Sequence, residues 1–238
     1  MDYQPSATLI YRGFTLACFD ALPSTQDIAR RWVEGGSATH HQVALAQMQT
    51  EGKGTRGRIF SSPRGGLYFT LVELHEYGVR RGPLLSLGMA LCVAQEIAHW
   101  VRGTLTQVKW PNDVLLDGKK VCGILGAVMP EQKAILIGVG INANTARQDL
   151  EAIAPREDGL RPTSLAHFVG TSVPIMTLMH SILDSYLELT LSAETKDPTS
   201  DEEMLRKKIG SLWQQWGRSD PEASRFLQLA SHANLFSP

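Results

Sequence analysis

The sequence has few of the features that mark secreted or membrane-bound proteins. Its 238 residues include three cysteines, Cys18, Cys92 and Cys122, an odd number set among apolar neighbours. They indicate buried thiols in a reducing compartment rather than a disulfide framework. Every apolar run is too short for a membrane span, and the N-terminus lacks the charged and apolar regions of a signal peptide. We therefore expect a cytoplasmic protein without a membrane segment.

An excess of charge of either sign is also absent. Lys and Arg number 23 against 24 Asp and Glu, which gives a formal net charge of −1. Because no basic tail or stripe stands out, this balance argues against a general nucleic-acid binder, although it leaves room for a local phosphate site. A chain of this length can bury a large core without disulfides or metals.

Three familiar site signatures are missing as well. There is no HExxH, and His40 and His41 are adjacent in a loop without ligand spacing, so metal binding through the histidines is not expected. No GxSxG supports a hydrolase nucleophile elbow. A Walker A motif is absent, and the glycine-rich loop of this chain leads into a strand rather than a helix.

What the sequence does contain is a glycine-rich, cationic loop at residues 49–58. Three glycines alternate with three cations between two apolar runs, residues 43–46 and 67–72. Backbone N–H groups and positive side chains can converge on an anion in such a loop. An ordinary solvated hairpin loop has a similar composition, so the loop alone leaves both interpretations open.

Hydrophobic patterns predict strands mixed with helices over most of the chain. Ser24 is a suitable N-cap, with Asp27 in an imperfect capping box, for a helix that ends at Gly35-Gly36. Asp117-Gly118 between apolar runs predicts a hairpin. Further expected elements are one or two strands over residues 9–19, a central buried helix over 83–103, a buried strand over 134–142, and helices over 163–168 and 174–191.

The later part of the chain predicts a helical extension. Residues 145–162 are polar and irregular, with a loop at 154–161, and residues 193–200 resemble a linker. Ser200 with Glu203 forms a capping-box pattern, and Pro221 opens a last helix. The inward positions are Leu205, Ile209, Leu212, Trp213 and Trp216 in the first helix, then Phe226, Leu229 and Ala230 in the second. We divide the chain into a catalytic domain, residues 1–192, and a helical extension, residues 193–238.

A second polar cluster, Lys109-Trp110-Pro111-Asn112-Asp113, interrupts apolar sequence. Its proline restricts it to an edge or irregular strand, and its buried charges need partners. Either Lys109 and Asp113 pair structurally, or the lysine meets phosphate while the carboxylate orients an amine or accepts a proton. Lys120 is either a solvated turn residue or a point charge for carboxylates and phosphates. Gly123 would let the backbone approach a ligand closely.

Taken in order, these motifs resemble the biotin protein ligase family. The resemblance covers about residues 10–190, and its specificity lies in the ordered set rather than in one motif. It rests on Ser24-Thr25-Gln26, residues 49–58, Ser62-Pro63, Gly65-Gly66-Leu67-Tyr68, residues 109–113, Lys120 with Gly123-Ile124-Leu125, and residues 138–142. It implies an α+β fold, a mixed β-sheet covered by helices, related to class II aminoacyl-tRNA synthetases.

The resemblance implies an ATP-dependent ligase. The carboxylate of biotin would attack the α-phosphate of Mg²⁺-ATP to give biotinyl-5′-AMP, and a lysine of a biotin carrier protein would then attack the mixed anhydride. The expected carrier is the carrier subunit of acetyl-CoA carboxylase, and the family allows a homodimer through a sheet edge. About two dozen residues precede Ser24, so we expect no winged-helix domain and no DNA partner.

The resemblance also assigns roles to residues. Lys120 would bind the carboxylate and then the α-phosphate, Asp113 would orient or deprotonate the acceptor amine, and Arg58 would offset phosphate charge, which makes these three the catalytic candidates. The implied biotin-binding residues are Ser24, Thr25, Gln26, Gln49, Lys53, Gly54, Thr55, Lys120 and Gly123. The implied ATP-binding residues are Gly52, Arg56, Arg58, Lys109, Asn112 and Asn142, and no protein metal ligand is expected.

Three features depart from the family pattern. Thr55 stands where the loop usually has its second arginine, which predicts looser retention of the adenylate. Phe60 replaces a common tryptophan and keeps an aromatic anchor. Residues 200–238 read as helices where the family carries a small β-barrel, so either the helices serve in its place or transfer is impaired. We expect the glycine loop to be disordered without ligand and to close over the adenylate as a lid.

Two alternative functions were weighed against biotin ligation. A lipoate or octanoate ligase of the same fold typically has an Arg-Arg-x-Ser-Gly-Gly-Gly loop, which this sequence lacks. A non-catalytic biotin-binding regulator is favoured by Thr55 and the missing barrel, whereas the intact Lys120 and Asp113 argue against it.

Overall fold

Residues 3–74, 81–154, 158–191 and 198–228 are described by a computed structural model, and in these ranges the chain forms eight strands and seven helices. The strands are β1 (Ala7–Tyr11), β2 (Phe14–Phe19), β3 (Gln42–Ala46), β4 (Leu67–Leu74), β5 (Thr106–Lys109), β6 (Asp113–Leu116), β7 (Lys119–Met129) and β8 (Ala134–Ile141). The helices are α1 (Thr25–Glu34), α2 (Gly82–Trp100), α3 (Arg147–Glu151), α4 (Leu165–Val169), α5 (Ile175–Leu191), α6 (Pro198–Trp216) and α7 (Pro221–Gln228), with a 3₁₀ turn at Thr55–Gly57.

The strands form one mixed sheet in the order β1-β2-β3-β4-β8-β7-β6-β5. Strands β2 and β3 run parallel, and the other neighbouring pairs are antiparallel. The parallel pair needs a crossover, which α1 supplies between them. The α+β class, the mixed sheet and the hairpin at Asp117-Gly118 are therefore confirmed.

Alternation along β4 separates the two faces of the sheet. Leu67, Phe69 and Leu71 join the main core with α2, whereas Thr70 and Val72 point toward the face that α1 covers. Helix α2 is apolar on most of its surface and is enclosed by the sheet, α5 and α6. Full burial of each large apolar side chain contributes about 1.5–3 kcal/mol, so this layer carries most of the apolar stabilisation. The predicted central buried helix is confirmed, although it ends at Trp100, before Gly103.

Helix α1 begins as its sequence predicts. The hydroxyl of Ser24 accepts a hydrogen bond from the backbone N–H of Gln26 at 3.2 Å, so Ser24 is the N-cap. Ile28, Ala29 and Val33 face the sheet. The cap holds the Thr25–Gln26 turn over the centre of the sheet, where β4 and β8 meet.

The C-terminal part differs from expectation in its boundaries. Helix α6 begins at Pro198, so Ser200 lies within its first turn and does not cap it; proline at the first helical position determines the start. Asp201 forms an ion pair with Arg81 at 3.4 Å, which fixes α6 against the start of α2. The predicted stripe is confirmed, because Leu205, Ile209 and Trp213 are buried in the main core. Residues 145–162 also contain α3, which the irregular pattern did not predict.

Several sequence predictions fall outside the described ranges. These are residues 193–197 of the predicted linker, residues 155–157 of the predicted loop, and the inward positions Leu229 and Ala230. The linker prediction is wrong for residues 198–200, which belong to α6. The division at residue 192 stays a prediction. Among the described helices, none combines the length and apolar character needed to cross a membrane.

Candidate functional site

A cavity of about 730 Å³ opens on the α1 face of the sheet. It exists because glycines stand where β7 and β8 would otherwise place side chains. A Cβ at Gly138 would lie 2.6 Å from Oε1 of Gln26, and one at Gly140 would lie 2.6 Å from the ring of Phe60. At Gly123 a Cβ would lie 3.0 Å from the ammonium of Lys120. The glycines therefore make room for an amide, a ring and a cation above the sheet.

One part of the cavity is a network of amides and hydroxyls. Oε1 of Gln49 accepts hydrogen bonds from the backbone N–H of Thr25 at 2.8 Å and from its hydroxyl at 3.1 Å. The Nε2 of the same amide donates to Ser62 at 2.8 Å. Thr70 donates to Oε1 of Gln26 at 3.1 Å, and its hydroxyl lies 2.9 Å from that of Thr25. These bonds fix the orientation of both glutamine amides.

The Nε2 of Gln26 is left without a partner in this network. It is buried and has no hydrogen-bond acceptor among the described residues. Buried polar groups in proteins are nearly always hydrogen-bonded, and an exception calls for an explanation. This nitrogen is available to donate to a ligand that enters the cavity.

Lys120 supplies a cation at another wall of the cavity. Its ammonium lies 2.5 Å from the carboxylate of Asp113, and the side chains are 15% and 7% exposed. The ring of Phe60 lies 5.6 Å from the same ammonium. A ligand anion that approaches Lys120 must therefore share it with a buried carboxylate, in an environment that screens charge poorly.

A β-bulge places Lys120 on the cavity face. Leu115 pairs with Lys120 but Val114 pairs with Cys122, so Val121 is an extra residue in β7. Val121 and Cys122 both enter the core, and the alternation is reset between Lys120 and Gly123. The backbone N–H of Lys120 donates to Arg161 and its carbonyl accepts from Thr163, both at 2.8 Å. These two hydrogen bonds hold the backbone of Lys120 in place.

A structural pair of Lys109 with Asp113, one of the two alternatives left open by the sequence, is not formed, and two other ion pairs take its place. Asp113 lies against Lys120, and the ammonium of Lys109 lies 2.7 Å from the carboxylate of Asp158. Lys109 and Asp113 are opposite each other in the β5–β6 register, yet neither lines the cavity. Asp113 acts next to the cavity through its contact with Lys120.

The glycine-rich loop folds back on itself. The carbonyl of Gly52 accepts from the N–H of Phe60, and the N–H of Gly54 donates to the carbonyl of Arg58, both at 2.8 Å. Arg56 and Gly57 have positive φ values of 59° and 72°, which turn the chain at the tip. Gly52 lies at the base of the loop and does not line the cavity. A Cβ at this position would lie 2.3 Å from the carbonyl oxygen of Phe60, so the loop leaves no room for a side chain there.

Side chains of the loop are tied to nearby groups. The guanidinium of Arg58 donates to the carbonyl and the hydroxyl of Thr55, each at 3.2 Å. The ammonium of Lys53 lies 2.5 Å from the carboxylate of Asp27. Thr55 therefore orients the neighbouring arginine, a contact that the sequence pattern did not reveal.

The two predicted asparagines serve the backbone while lining the cavity. The Nδ2 of Asn112 donates to the carbonyl of Ile124 at 2.7 Å, and that of Asn142 donates to the carbonyl of Thr163 at 3.0 Å. Beneath this region Tyr68 donates to the carbonyl of Pro63 at 2.8 Å. Burial raises the pKa of Tyr68 to about 12, so its hydroxyl stays a donor.

Most sequence-predicted site residues converge on the cavity. Those in its lining are Ser24, Thr25, Gln26, Gln49, Lys53, Gly54, Thr55, Arg56, Arg58, Asn112, Lys120, Gly123 and Asn142, whereas Gly52, Lys109 and Asp113 lie outside it. Residues that sequence reasoning missed are Thr70 on β4 and the wall formed by Asp149, Ala152, Ile153, Ala154, Leu160 and Pro162. A polar residue inside the apolar run at residues 67–72 was the available signal for Thr70; the wall has no recognisable pattern.

The charge of the lining favours anions. Among the described lining residues, four are cations, Lys53, Arg56, Arg58 and Lys120, and one is a carboxylate, Asp149. Two of the cations are paired with carboxylates outside the lining, Lys53 with Asp27 and Lys120 with Asp113, which leaves the two arginines as the main source of positive charge. The whole chain carries a formal charge of only −1, so the positive charge is local. A site of this kind suits an anionic ligand.

Comparison with known proteins gives one consistent result. The sequence pattern of the biotin/lipoate A/B protein ligase family matches residues 18–144. The chain is similar to the bifunctional ligase/repressor BirA of Bacillus subtilis, with 32% identity over 175 residues, 72% of this chain and 52% of that protein. It is also similar to the biotin–[acetyl-CoA-carboxylase] ligase of Paracoccus denitrificans, with 38% identity over 116 residues, 47% of this chain and 48% of that protein.

A solved structure supports the same relation. The biotin protein ligase from Aquifex aeolicus in complex with biotin and ATP superposes with a TM-score of 0.65 and 26% identity, over 82% of this chain and 76% of that one. The chain spans about half the length of the curated relatives it matches.

Proposed function

The chain belongs to the biotin/lipoate A/B protein ligase family, and we propose that it acts there as a biotin protein ligase. It activates biotin with Mg²⁺-ATP as biotinyl-5′-AMP and transfers the biotinyl group to a lysine of a carrier protein. The observation that carries this proposal is the cavity lining, in which an amide and hydroxyl network and the Lys120 cation occupy separate walls. Its volume of about 730 Å³ lies in the range of small-molecule sites.

The amide and hydroxyl network suits the ureido head of biotin. That head offers one carbonyl acceptor and two N–H donors, so it needs partners of both kinds. The unpartnered Nε2 of Gln26 is a donor for the carbonyl. The hydroxyls of Thr25 and Thr70 donate to Gln49 and Gln26, so their lone pairs are acceptors for the ureido N–H groups. Ser24 and Gln49 contribute by holding this turn in place.

Lys120 acts on the carboxylate and then on phosphorus. A carboxylate oxygen of biotin attacks the α-phosphorus, the bond to the bridging oxygen of the β-phosphate breaks, and pyrophosphate leaves with the bonding electrons. The ammonium stabilises the charge that gathers on the α-phosphoryl oxygens, a contribution worth about 3–4 kcal/mol for comparable donors. Asp113, 2.5 Å away, keeps the ammonium aimed into the site.

The second step uses the same surroundings. The lysine amine of the carrier attacks the carbonyl carbon of the mixed anhydride, the bond to the phosphate oxygen breaks, and AMP leaves. Asp113, which here pairs with Lys120 beside the cavity, turns to the acceptor amine in this proposal, orients it and accepts its proton. Arg56 and Arg58 offset the charge of the nucleotide from within the lining, and Lys109 does so once it leaves Asp158. Asn112 and Asn142 are the proposed contacts of the adenine end.

The glycine-rich loop closes over the adenylate in this proposal. An acyl adenylate hydrolyses readily, so exclusion of water until the carrier arrives preserves it. The loop lies at the mouth of the cavity through Lys53, Gly54 and Thr55. Its cations contact the phosphate and thereby couple closure to the presence of the ligand.

The C-terminal helices support the segment that carries Lys109. Trp110 packs against Trp213 of α6 at a ring distance of 6.3 Å and against Phe226 of α7 at 5.1 Å. The N–H of Arg218 donates to the carbonyl of Val108 at 2.8 Å. We infer that these helices hold the Lys109 segment in position beside the cavity.

The carrier subunit of acetyl-CoA carboxylase is the proposed acceptor, since relatives of this chain are named biotin–[acetyl-CoA-carboxylase] ligases. A lipoate or octanoate ligase is the alternative within the same family, and a biotin-binding regulator is the non-catalytic one. The absent Arg-Arg-x-Ser-Gly-Gly-Gly loop disfavours the first, and the Lys120–Asp113 pair disfavours the second. The cytoplasmic location and the homodimer stay predictions.

Exchange of labelled pyrophosphate into ATP tests the activation step. We expect exchange that depends on biotin and not on lipoate, and a loss of about 100-fold or more in Lys120→Gln. Lys119→Gln is the matched control, because that lysine is its exposed neighbour in β7 and should leave the rate unchanged. Exchange with lipoate would favour the lipoate ligase, and no exchange with either acid would defeat both enzyme proposals.

A further inference from the structure

Two histidines and a glutamate meet at the opposite end of β3 and β4 from Gln49. His41 precedes β3, whose register pairs Gln42 with Val72 and thereby places His41 opposite Glu73. The N–H of His41 donates to the carbonyl of Val72 at 3.0 Å, which continues the ladder. The sheet register assembles this cluster, so the spacing of the histidines gave no sign of it.

The carboxylate of Glu73 is buried and incompletely satisfied. The residue is 2% exposed, and its Oε1 has no hydrogen-bond partner among the described residues. The nearest imidazole nitrogens are those of His40 and His41, and the buried hydroxyl of Tyr186 also faces this carboxylate. Since a buried carboxylate is stable only beside a cation or a set of donors, a divalent cation between the carboxylate and the two imidazoles would compensate its charge.

The distances match a small divalent cation. Nδ1 of His40 lies 3.5 Å from one carboxylate oxygen, and Nε2 of His41 lies 3.4 Å from the other. All three donor atoms lie within 4.8 Å of one another. Zinc bound tetrahedrally at about 2.0–2.1 Å separates neighbouring donors by about 3.3–3.4 Å. A single ion can therefore bridge the cluster with small adjustments.

Stacking holds both imidazole rings in place, and the His40 nitrogen nearest the carboxylate carries a lone pair. The ring of His41 stacks on Phe14 at 4.6 Å and on His40 at 3.9 Å. Nδ1 of His40 accepts a hydrogen bond from the N–H of Leu74 at 3.1 Å, so it is not protonated. When a metal ion binds, this nitrogen gives up that hydrogen bond and coordinates the ion instead. Two imidazoles with one carboxylate are a donor set that zinc and its neighbours prefer.

We propose that His40, His41 and Glu73 form a binding site for a zinc-class divalent ion. A water molecule completes the coordination, since His40 reaches solvent with a side chain that is 42% exposed. Glu73 lies on the same face of β4 as Leu71, whereas Thr70 faces the cavity. The ion joins the start of β3 to the end of β4 and acts on stability, apart from the ligase cavity.

Zinc titration of the whole, reduced and chelator-stripped chain tests the site. Isothermal titration should give one Zn²⁺ per chain, and Co²⁺ should develop the visible bands of a four-coordinate ion. His41→Gln and His40→Gln should each weaken binding by at least about tenfold and abolish the zinc-dependent rise in Tm. Glu73→Gln should abolish binding. If that buried substitution prevents folding, His40→Gln still decides the test, because His40 is the exposed member of the cluster.

Two controls separate this site from other zinc ligands. The exposed imidazole of His99 lies 3.6 Å from Glu96 on α2, so His99→Gln removes a His–Glu pair without a second histidine and should leave binding intact. Cys18→Ser removes the half-buried thiol and should do the same. The proposal would be overturned if the unaltered chain bound no stoichiometric zinc, or if His40→Gln and His41→Gln bound zinc as tightly as the unaltered chain. It would also be overturned if His99→Gln or Cys18→Ser lost as much affinity for zinc as the His40 and His41 variants.

Discussion

The open space above Gly138 gives the sharpest prediction about the cavity. In Gly138→Ala the new Cβ lies 2.6 Å from Oε1 of Gln26 and 3.4 Å from the carbonyl oxygen of Leu125. The strand backbone cannot move without breaking the β7–β8 ladder, so the amide of Gln26 has to retreat by several tenths of an ångström.

That retreat breaks a defined contact. Oε1 of Gln26 accepts from Thr70 at 3.1 Å, and loss of this hydrogen bond costs about 1 kcal/mol. The displacement also moves the unpartnered Nε2 from its place in the cavity. Loss of the Thr70 contact lowers the stability of the free and the bound protein alike, whereas displacement of Nε2 removes a hydrogen bond to biotin worth about 1 kcal/mol. We therefore expect biotin to bind Gly138→Ala about fivefold more weakly because of the displaced Nε2.

Calorimetric titration with biotin checks this, with Gly126→Ala as the matched control. A Cβ at Gly126 would lie 2.2 Å from the hydroxyl of Ser86 on α2, on the opposite face of the sheet. This control introduces a comparable clash and should destabilise the fold without changing the affinity for biotin. Unchanged affinity in Gly138→Ala, or an equal loss in Gly126→Ala, would refute the reasoning.

Three further predictions concern the loop and the helices. Thr55→Arg adds a cation beside Arg58 and should slow release of the adenylate, measured by its dissociation rate; a rate equal to that of the unaltered chain would contradict a role for this position. Trypsin should cut the free protein at the exposed Arg56 and cut it more slowly with biotin and ATP present, whereas cleavage insensitive to both would argue against a lid. Trp213→Ala should lower the free energy of unfolding by about 3 kcal/mol, because it removes the packing against Trp110. Urea unfolding measures this loss, and the control Trp100→Ala, at the end of α2, should lower the free energy of unfolding by less.

Local sequence signals predicted the elements that depend on nearby residues. The N-cap Ser24 and the Asp117-Gly118 hairpin follow from side-chain and turn chemistry within a few positions, and both are confirmed. Family membership is also confirmed. Pro198 shows the limit of such signals, because its fixed φ determines the start of α6 ahead of the Ser200 capping pattern.

Contacts that depend on sheet register were beyond the sequence. The partner of Asp113 is set by the bulge at Val121, which rotates Lys120 toward the cavity. Thr70 meets Gln26 only because α1 lies across β4, and α1 is positioned by the whole crossover. The sequence indicated these residues as members of separate motifs, whereas the fold determines which of them are in contact.

Labelling of a carrier domain tests the central claim most directly. The purified chain is incubated with biotin, Mg²⁺-ATP and a biotin carrier domain of acetyl-CoA carboxylase, and the carrier is analysed by mass spectrometry. We expect the chain to attach one biotinyl group to one carrier lysine. The Lys120→Gln variant should show no labelling, and the Lys119→Gln variant should label the carrier at an unchanged rate. A carrier that stays unmodified while biotin and ATP are bound, or one that is modified by lipoate instead, would contradict the account.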